Sequence, residues 1–136
     1  MTKKEWLSRA RDMDLEIKAL ERTKQSLYDK ATNIVPSNSG MNVQGGGSDP
    51  HKSESYAIYS AELDEMVKRL KDVKMEILRE INTLPDTDSI LRTILIMRYV
   101  QCVPTWEQIA LDIGYSYRDT TRKHGEALMK LQIPSL

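Results

Sequence analysis

Two long stretches of the chain carry apolar residues at alternating spacings of four and three, which is the spacing of a helical heptad stripe. The first stripe covers residues 6–34 and is interrupted by Lys24; the second covers residues 56–84 and is interrupted by Ser60 and Lys74. This period fits helices and not strands, so the sequence predicts two long helices, each roughly 40 Å in length at the usual rise per residue. The stripe residues are Trp6, Ala10, Met13, Ile17, Leu20, Lys24, Leu27, Ala31 and Ile34, then Tyr56, Ser60, Leu63, Val67, Leu70, Lys74, Ile77, Ile81 and Leu84.

The segment between the stripes, residues 35–52, is rich in glycine, serine and proline. Such a stretch buries too little apolar surface to offset the entropy lost on ordering it, so we predict a flexible connector at 35–52. A connector of this kind allows the two helices to pair as an antiparallel hairpin within one chain, and it equally allows each helix to pair with a second copy. The sequence leaves both arrangements open.

Composition narrows the classes of function. Twenty basic residues balance twenty acidic ones in the 136-residue chain, so nucleic-acid binding here needs a local basic face or more than one subunit. The single cysteine, Cys102, has no Cys/His cluster beside it, and neither His51 nor His124 has an evident catalytic partner. We therefore expect no enzyme, no metal and no cofactor. The charged N-terminus carries no signal-peptide pattern, and we expect a cytoplasmic protein without membrane contact.

A third, shorter helix is predicted after Pro85, because proline disfavours helical geometry in the residue before it and so ends the second helix at Leu84. Asp86, Asp88 and Ser89 are candidate caps for this helix. Its apolar face is formed by Ile90, Leu91, Ile94, Leu95 and Met97.

Two more short helices follow, joined by a glycine turn. Thr105 is a predicted cap for the first, with Gln108 completing a capping box, and Gly114 ends that helix. Ser116 is a predicted cap for the second, which continues to a stop near Pro134. Two short capped helices around a glycine turn are typical of a helix-turn-helix.

The early outward turns of the second of these helices carry Tyr117, Arg118, Thr121, Arg122 and Lys123. In a helix-turn-helix these positions reach base edges and phosphates, and the arginine fork suits guanine. We predict these five residues as a DNA-binding site. The alternative is that they are solvated residues on a surface helix.

The string from Arg98 to Leu128 resembles region 4 of sigma-70 factors, and more closely the small phage regulators that carry a region-4-like helix-turn-helix behind a helical N-terminal part. The resemblance covers roughly the last third of the chain. It implies double-stranded promoter or operator DNA as the ligand, with the helix from Ser116 in the major groove. Thr120 and Lys123 depart from the pattern, since the family usually has apolar core residues there. The matching residues are Arg98, Tyr99, Trp106, Ile109, Ala110, Ile113, Gly114, Tyr115, Ser116, Ala127, Leu128 and Leu131.

Together these features predict an all-α protein with a long antiparallel, coiled-coil-like helical hairpin or arm at 1–85 and a three-helix helix-turn-helix domain at 86–136. The predicted function is that of a sequence-specific transcriptional regulator of a phage or prophage, acting in the bacterial host cell. We expect a homodimer, with RNA polymerase as a second partner implied by the resemblance. Two alternatives remain: a DNA-packaging protein similar to terminase small subunits, and a protein-binding helical module.

Overall fold

The computed structural model of the chain describes residues 1–32 and 50–134, and every regular element in these ranges is helical. The predicted all-α class is therefore confirmed for this part of the chain. The helices are α1 (Lys3–Leu7), α2 (Arg9–Thr32), α3 (Pro50–Ile81), α4 (Ser89–Leu95), α5 (Trp106–Ile113) and α6 (Tyr117–Lys130), with a 3₁₀ turn at Asp86–Asp88 and a π-helical turn at Ile96–Val100.

Contacts group the chain into two compact units, which we call the terminal unit (Met1–Asp14 and Arg69–Leu136) and the arm unit (Leu15–Lys68). The terminal unit thus joins the first fourteen residues of the chain to its second half. The predicted domain boundary at residue 85 stays a prediction. Most of the predicted connector, residues 35–49, lies outside the described residues.

The heptad stripes supply the inward faces of α2 and α3. In the arm unit, Ile17 and Leu63 are buried, and the rings of Tyr28 and Tyr56 lie 5.6 Å apart. Val67 is an exception, because 48% of its surface is exposed. A straight helix has 3.6 residues per turn, so positions repeated every seven residues rotate slowly around its axis. Val67 therefore lies at the edge of the inward face. The buried stripe members are Trp6, Ala10, Ile17, Leu63, Leu70, Ile77, Ile81 and Leu84.

The N-terminal stripe helix is interrupted at Ser8, which separates α1 from α2. Thr2 caps α1 through a full capping box: its hydroxyl accepts from the Glu5 amide at 3.1 Å, and the Glu5 carboxylate accepts from the Thr2 amide at 2.9 Å. The Thr-x-x-Glu pattern is visible in the sequence, yet the heptad reading passed over it.

The bounds of α3 correct two predictions. The helix begins at Pro50, so residues 50–52 belong to it and not to the connector, and it ends at Ile81, three residues before Leu84. Proline suits the first helical position because the amide it lacks would have no partner there.

Asp88 occupies the cap position of α4 but makes no capping hydrogen bond. Its carboxylate instead pairs with Lys130 at 3.1 Å, and Asp86 pairs with Arg92 at 3.2 Å. The predicted capping role of these aspartates is wrong, since tertiary ion pairs take their side chains.

After α4 the helix widens into the π-helical turn, where the Gln101 amide bonds to the Ile96 carbonyl at 2.8 Å. Cys102 then adopts a left-handed conformation with φ 58°, and the Val103 amide returns to Met97 O at 2.9 Å. This wide turn directs Tyr99 into the interior, where 1% of it is exposed.

The predicted N-terminal caps of α5 and α6 and the predicted glycine turn between these helices are confirmed. The Thr105 hydroxyl accepts from the Gln108 amide at 3.2 Å, and the Ser116 hydroxyl accepts from the Asp119 amide at 3.0 Å. Gly114 ends α5 with φ 75°, and the Tyr115 amide closes the turn on Ala110 O at 3.0 Å. The box at Thr105 is only half formed within the described chain, because the Gln108 side chain makes no return bond.

The core of the terminal unit lies where α4 and α5 pack against α6. The first residues of the chain support it: Trp6 and Leu7 are buried, and Lys3 Nζ donates to Leu128 O at 3.0 Å, satisfying a carbonyl in the last turn of α6. Among the described helices, none has the length and apolar character required to cross a bilayer. The residues of this core are Leu91, Ile94, Leu95, Tyr99, Ile109, Ala110, Thr120, His124, Ala127 and Leu131.

Two glycines of this region provide a matched test. A Cβ at either Gly114 or Gly125 would meet no atom within 4 Å, so their substitutions differ only in backbone effects. Gly114→Ala places an alanine at positive φ and should lower the free energy of unfolding by about 1 kcal/mol. Gly125→Ala replaces glycine inside α6 and should raise it by up to about 1 kcal/mol. Urea unfolding measures both, and equal effects of the two changes would contradict the assigned turn.

Candidate nucleic-acid interface

The face of α6 that points away from the core carries two arginines. Four buried residues at helical spacing, Thr120, His124, Ala127 and Leu131, form the inner face of α6 and its cap. Arg118 and Arg122 are both exposed, and their separation of four residues places them on one side of the helix. Gly125 and Met129 continue the same outward side, with Met129 80% exposed. A Cβ added at Gly125 would meet no atom within 4 Å, so the space on this outward side is open.

The two arginines differ in how they are held. Arg122 lies between two carboxylates, 3.7 Å from Asp119 and 3.3 Å from Glu126. The side chain of Arg118 has no hydrogen-bond or ion-pair partner among the described residues. Arg118 therefore presents an uncommitted guanidinium to solvent, whereas the charge of Arg122 is already largely compensated.

Tyr117 and Thr121 occupy one flank of this outward side. The ring of Tyr117 is 51% exposed at the first turn of the helix. The Thr121 hydroxyl donates to the carbonyl oxygens of Tyr117 and Arg118 at 3.1 and 3.0 Å, so its proton is engaged and its oxygen can still accept. This flank offers an aromatic face and one acceptor beside Arg118.

Lys123 lies on the other flank, away from Tyr117 and Thr121. Its Nζ sits 5.5 Å from the centroid of the Tyr115 ring, and its stem is half-buried. Of the five predicted site residues, the structure thus brings Tyr117, Arg118, Thr121 and Arg122 to neighbouring positions and sets Lys123 apart. The ammonium group of Lys123 extends along the Tyr115 ring, so that the aliphatic stem packs while the charge stays near solvent.

Thr120 is fully buried. Its hydroxyl donates to Ser116 O at 2.8 Å, so the buried polar atom is satisfied within the helix and the methyl group packs in the core. The position is thus a core position occupied by a threonine.

A buried hydrogen-bonded pair, Tyr99 and His124, anchors the inner face of α6. The sequence analysis did not predict this pair. Tyr99 Oη and His124 Nε2 lie 2.6 Å apart, and the ring of His124 is 4.5 Å from the ring centroid of Trp106. His124, for which the sequence indicated no partner, is only 8% exposed. Its spacing from Thr120 and Ala127 on one helical face was the available signal. The pair ties α6 to the π-helical turn and to the first residue of α5.

Burial sets the protonation of this pair. Desolvation, followed by the positive charges of Lys4 and Arg98, lowers the pKa of His124 to about 4. Desolvation raises the pKa of Tyr99 to about 12, against the opposing effect of Arg98 and Arg11. Both side chains are therefore neutral at pH 7, and the hydrogen bond between them carries no charge.

The segment that leads into α5 is held by arginines. Arg11 Nη1 donates to Arg98 O at 3.0 Å and to Val103 O at 2.9 Å, while the Arg98 guanidinium lies 4.5 Å from the centroid of the Trp106 ring. These bonds satisfy one carbonyl of the π-helical turn and one of the loop that follows it. Within the described chain, no group of three or more His, Cys, Asp or Glu side chains is placed to hold a metal ion.

The buried histidine predicts a pH dependence of stability. Unfolded His124 has a pKa near 6.5, so between pH 6.5 and 4 the unfolded state binds the additional proton and stability falls as the pH falls. At pH 5 the free energy of unfolding should be between about 1 and 2 kcal/mol lower than at pH 7, allowing for solvent screening. His124→Gln should lose less over the same interval in urea unfolding. Equal losses in the two proteins would contradict a neutral, buried His124.

Comparison with known proteins identified no relative of this chain. No protein-family model, no curated protein and no solved structure matches this chain. The exposed guanidinium of Arg118, which no described residue pairs with, lies on a capped helix and is thus the feature on which a functional assignment depends.

Proposed function

We propose that this chain binds double-stranded DNA through α5 and α6, in a sequence-specific transcriptional regulator of a phage or prophage. α6 enters the major groove, with Arg118 and Tyr117 at base edges and Arg122 close to the phosphates. The protein acts by occupying its site and catalyses no reaction.

One observation carries the proposal: the two short helices are capped at Thr105 and Ser116, joined by a left-handed Gly114, and present an unpaired Arg118 outward. A recognition helix needs a rigid base and an open outer side. The buried side of α6 supplies the rigid base, and the exposed Arg118 lies on the open outer side. An arginine with no internal partner loses no ion pair when it binds a base, which favours it over Arg122 as the residue that reads sequence.

The finer architecture belongs to the same proposal. We take residues 86–136 as a three-helix DNA-binding domain and residues 1–85 as a helical arm in which α2 and α3 run antiparallel. Two contacts support this pairing within one chain: Arg9 with Glu76 at 3.4 Å in the terminal unit, and Tyr28 with Tyr56 in the arm unit.

Charge favours a dimer as the binding form. α6 carries four basic and two acidic side chains, so one recognition helix supplies only a small positive excess. Two copies on a symmetric site double the number of contacts. We further propose a cytoplasmic location in the bacterial host, which rests on the charged N-terminus, and contact with RNA polymerase, which rests on the resemblance to sigma region 4.

A second candidate function is binding of a partner protein through the same unit. Leu111 and Met129 are each 80% exposed, and Arg122 is neutralised by its two carboxylates. Exposed apolar side chains are more useful to a protein partner than to a phosphate backbone.

The two arginines distinguish these functions. Arg118→Ala should weaken binding of a selected duplex about tenfold or more, since one bidentate contact to a base contributes about 1–3 kcal/mol of discrimination. Arg122→Ala should weaken it less, because that charge is shared with Asp119 and Glu126. Fluorescence anisotropy with a duplex enriched from a random library by the protein itself measures both.

Lys71→Ala, which removes an exposed charge from α3, is the control of equal charge. The DNA-binding proposal is contradicted if no duplex is enriched, or if Arg118→Ala and Lys71→Ala bind the selected duplex alike. The protein-binding alternative predicts the former outcome.

A further inference from the structure

Three cations of the terminal unit are linked by one hydrogen bond and by their electrostatic effect on the same buried groups. We call Lys4, Arg11 and Arg98 the cationic cluster. Arg11 touches the backbone of Arg98 at 3.0 Å, and both Lys4 and Arg98 act electrostatically on the buried His124. The cluster therefore brings together α1, α2 and the π-helical turn.

No carboxylate of the described chain neutralises these charges. Ion pairs elsewhere hold Arg9, Arg92, Arg122 and Lys130, but none involves a member of the cluster. The bonds that the two guanidinium groups do make go to uncharged carbonyls: Arg11 to Arg98 O and Val103 O, and Arg98 to Pro104 O at 3.4 Å. Each bond uses an Nη1 atom, so of the five N–H donors on a guanidinium most remain available.

The surrounding groups experience this positive charge. Burial and then the charge of Arg11 lower the pKa of Arg98. The charged groups that act most strongly on Tyr99 are Arg98 and Arg11, and those acting on His124 are Lys4 and Arg98. All are cations. A concentration of like charge without an internal counter-ion costs free energy that a bound anion would relieve.

The cluster is open to a ligand and suits a phosphate. Lys4 is exposed, and Arg11 and Arg98 are half-exposed. The guanidinium carbon of Arg98 lies 4.5 Å from the centroid of the Trp106 ring, and this contact restrains the group beside the first residue of α5. A restrained planar fork loses little entropy on binding phosphate oxygens, and a nearby lysine adds a mobile point charge.

We propose that the cationic cluster is a second DNA contact, which holds a backbone phosphate independently of base sequence. The ligand assignment rests on the proposed DNA-binding function, whereas the anion site itself depends only on the cluster. Arg118 reads bases, and Lys4, Arg11 and Arg98 anchor the backbone. A protein with no net charge thereby gains electrostatic affinity for DNA from the cationic cluster.

Lys4→Gln and Arg98→Gln test the cluster, with Lys71→Gln as the control of equal charge. Binding of the selected duplex and of an unrelated duplex is measured by anisotropy over a salt series. Each cluster variant should weaken both duplexes by a similar factor, about three- to tenfold, and should reduce the slope of log K against log salt by roughly one. Lys71→Gln should leave the slope unchanged. Lys4 is exposed, so its variant remains informative if Arg98→Gln fails to fold.

If duplexes bind with slopes that Lys4→Gln and Arg98→Gln leave unchanged, the cluster is not a phosphate contact, although the DNA-binding function stands. If no duplex binds, the DNA function fails, and pyrophosphate then tests the site alone. Pyrophosphate should shift the side-chain Nε–Hε NMR signal of Arg98 in the wild type and shift it less in Lys4→Gln. Absence of that shift overturns the anion site as well.

Discussion

The hydrogen bond between Tyr99 and His124 is the constraint on which the terminal unit depends. Two polar groups in a dry interior must satisfy each other, because an unpaired one costs about 1–3 kcal/mol. At 2.6 Å these two do so, and since both are neutral at pH 7 the bond needs no counter-ion. Apolar contacts alone would allow α6 to shift along its neighbours, whereas one donor and one acceptor fix the position of α6 relative to the π-helical turn.

This register has consequences on the opposite side of α6. With His124 held against Tyr99 and Trp106, helical geometry directs Arg118 and Arg122 away from the core. The wide π-helical turn is what brings Tyr99 to its position, and Arg11 stabilises that turn through its carbonyls. A bond donated from α2 therefore supports the helix that carries the proposed DNA-reading residues.

Local chemistry made part of this structure predictable. The caps at Thr105 and Ser116 and the turn at Gly114 depend on a few adjacent residues, and the structure places each as expected. The heptad stripes predicted the inward faces of α2 and α3, except at Val67, where the repeat drifts to an edge. The capping box at Thr2 was equally local and could have been found.

Contacts between distant residues were not predictable in this way. Nothing near His124 in the sequence indicates Tyr99, and nothing near Asp88 indicates that Lys130 takes its carboxylate from the helix cap. For the candidate interface, residue type and spacing identified Arg118 and Arg122. The difference between a free Arg118 and a compensated Arg122 emerged only from side-chain geometry.

Formal neutrality of the whole chain conceals an uneven distribution of charge. Acidic residues compensate Arg9, Arg92, Arg122 and Lys130, whereas Arg118 and the cationic cluster have no counter-ion within residues 1–32 and 50–134. The proposed function uses these two uncompensated places for different tasks, base reading and backbone anchoring. Net charge alone is thus a poor guide to what this surface can bind.

Backbone amide chemical shifts during titration with a duplex selected by the protein test the central claim most directly. The account predicts the largest changes over residues 117–122, at the start of α6, with small changes along the arm unit. Changes concentrated in α2 and α3 of the arm unit, with the amides of Arg118 and Arg122 unaffected, would contradict it.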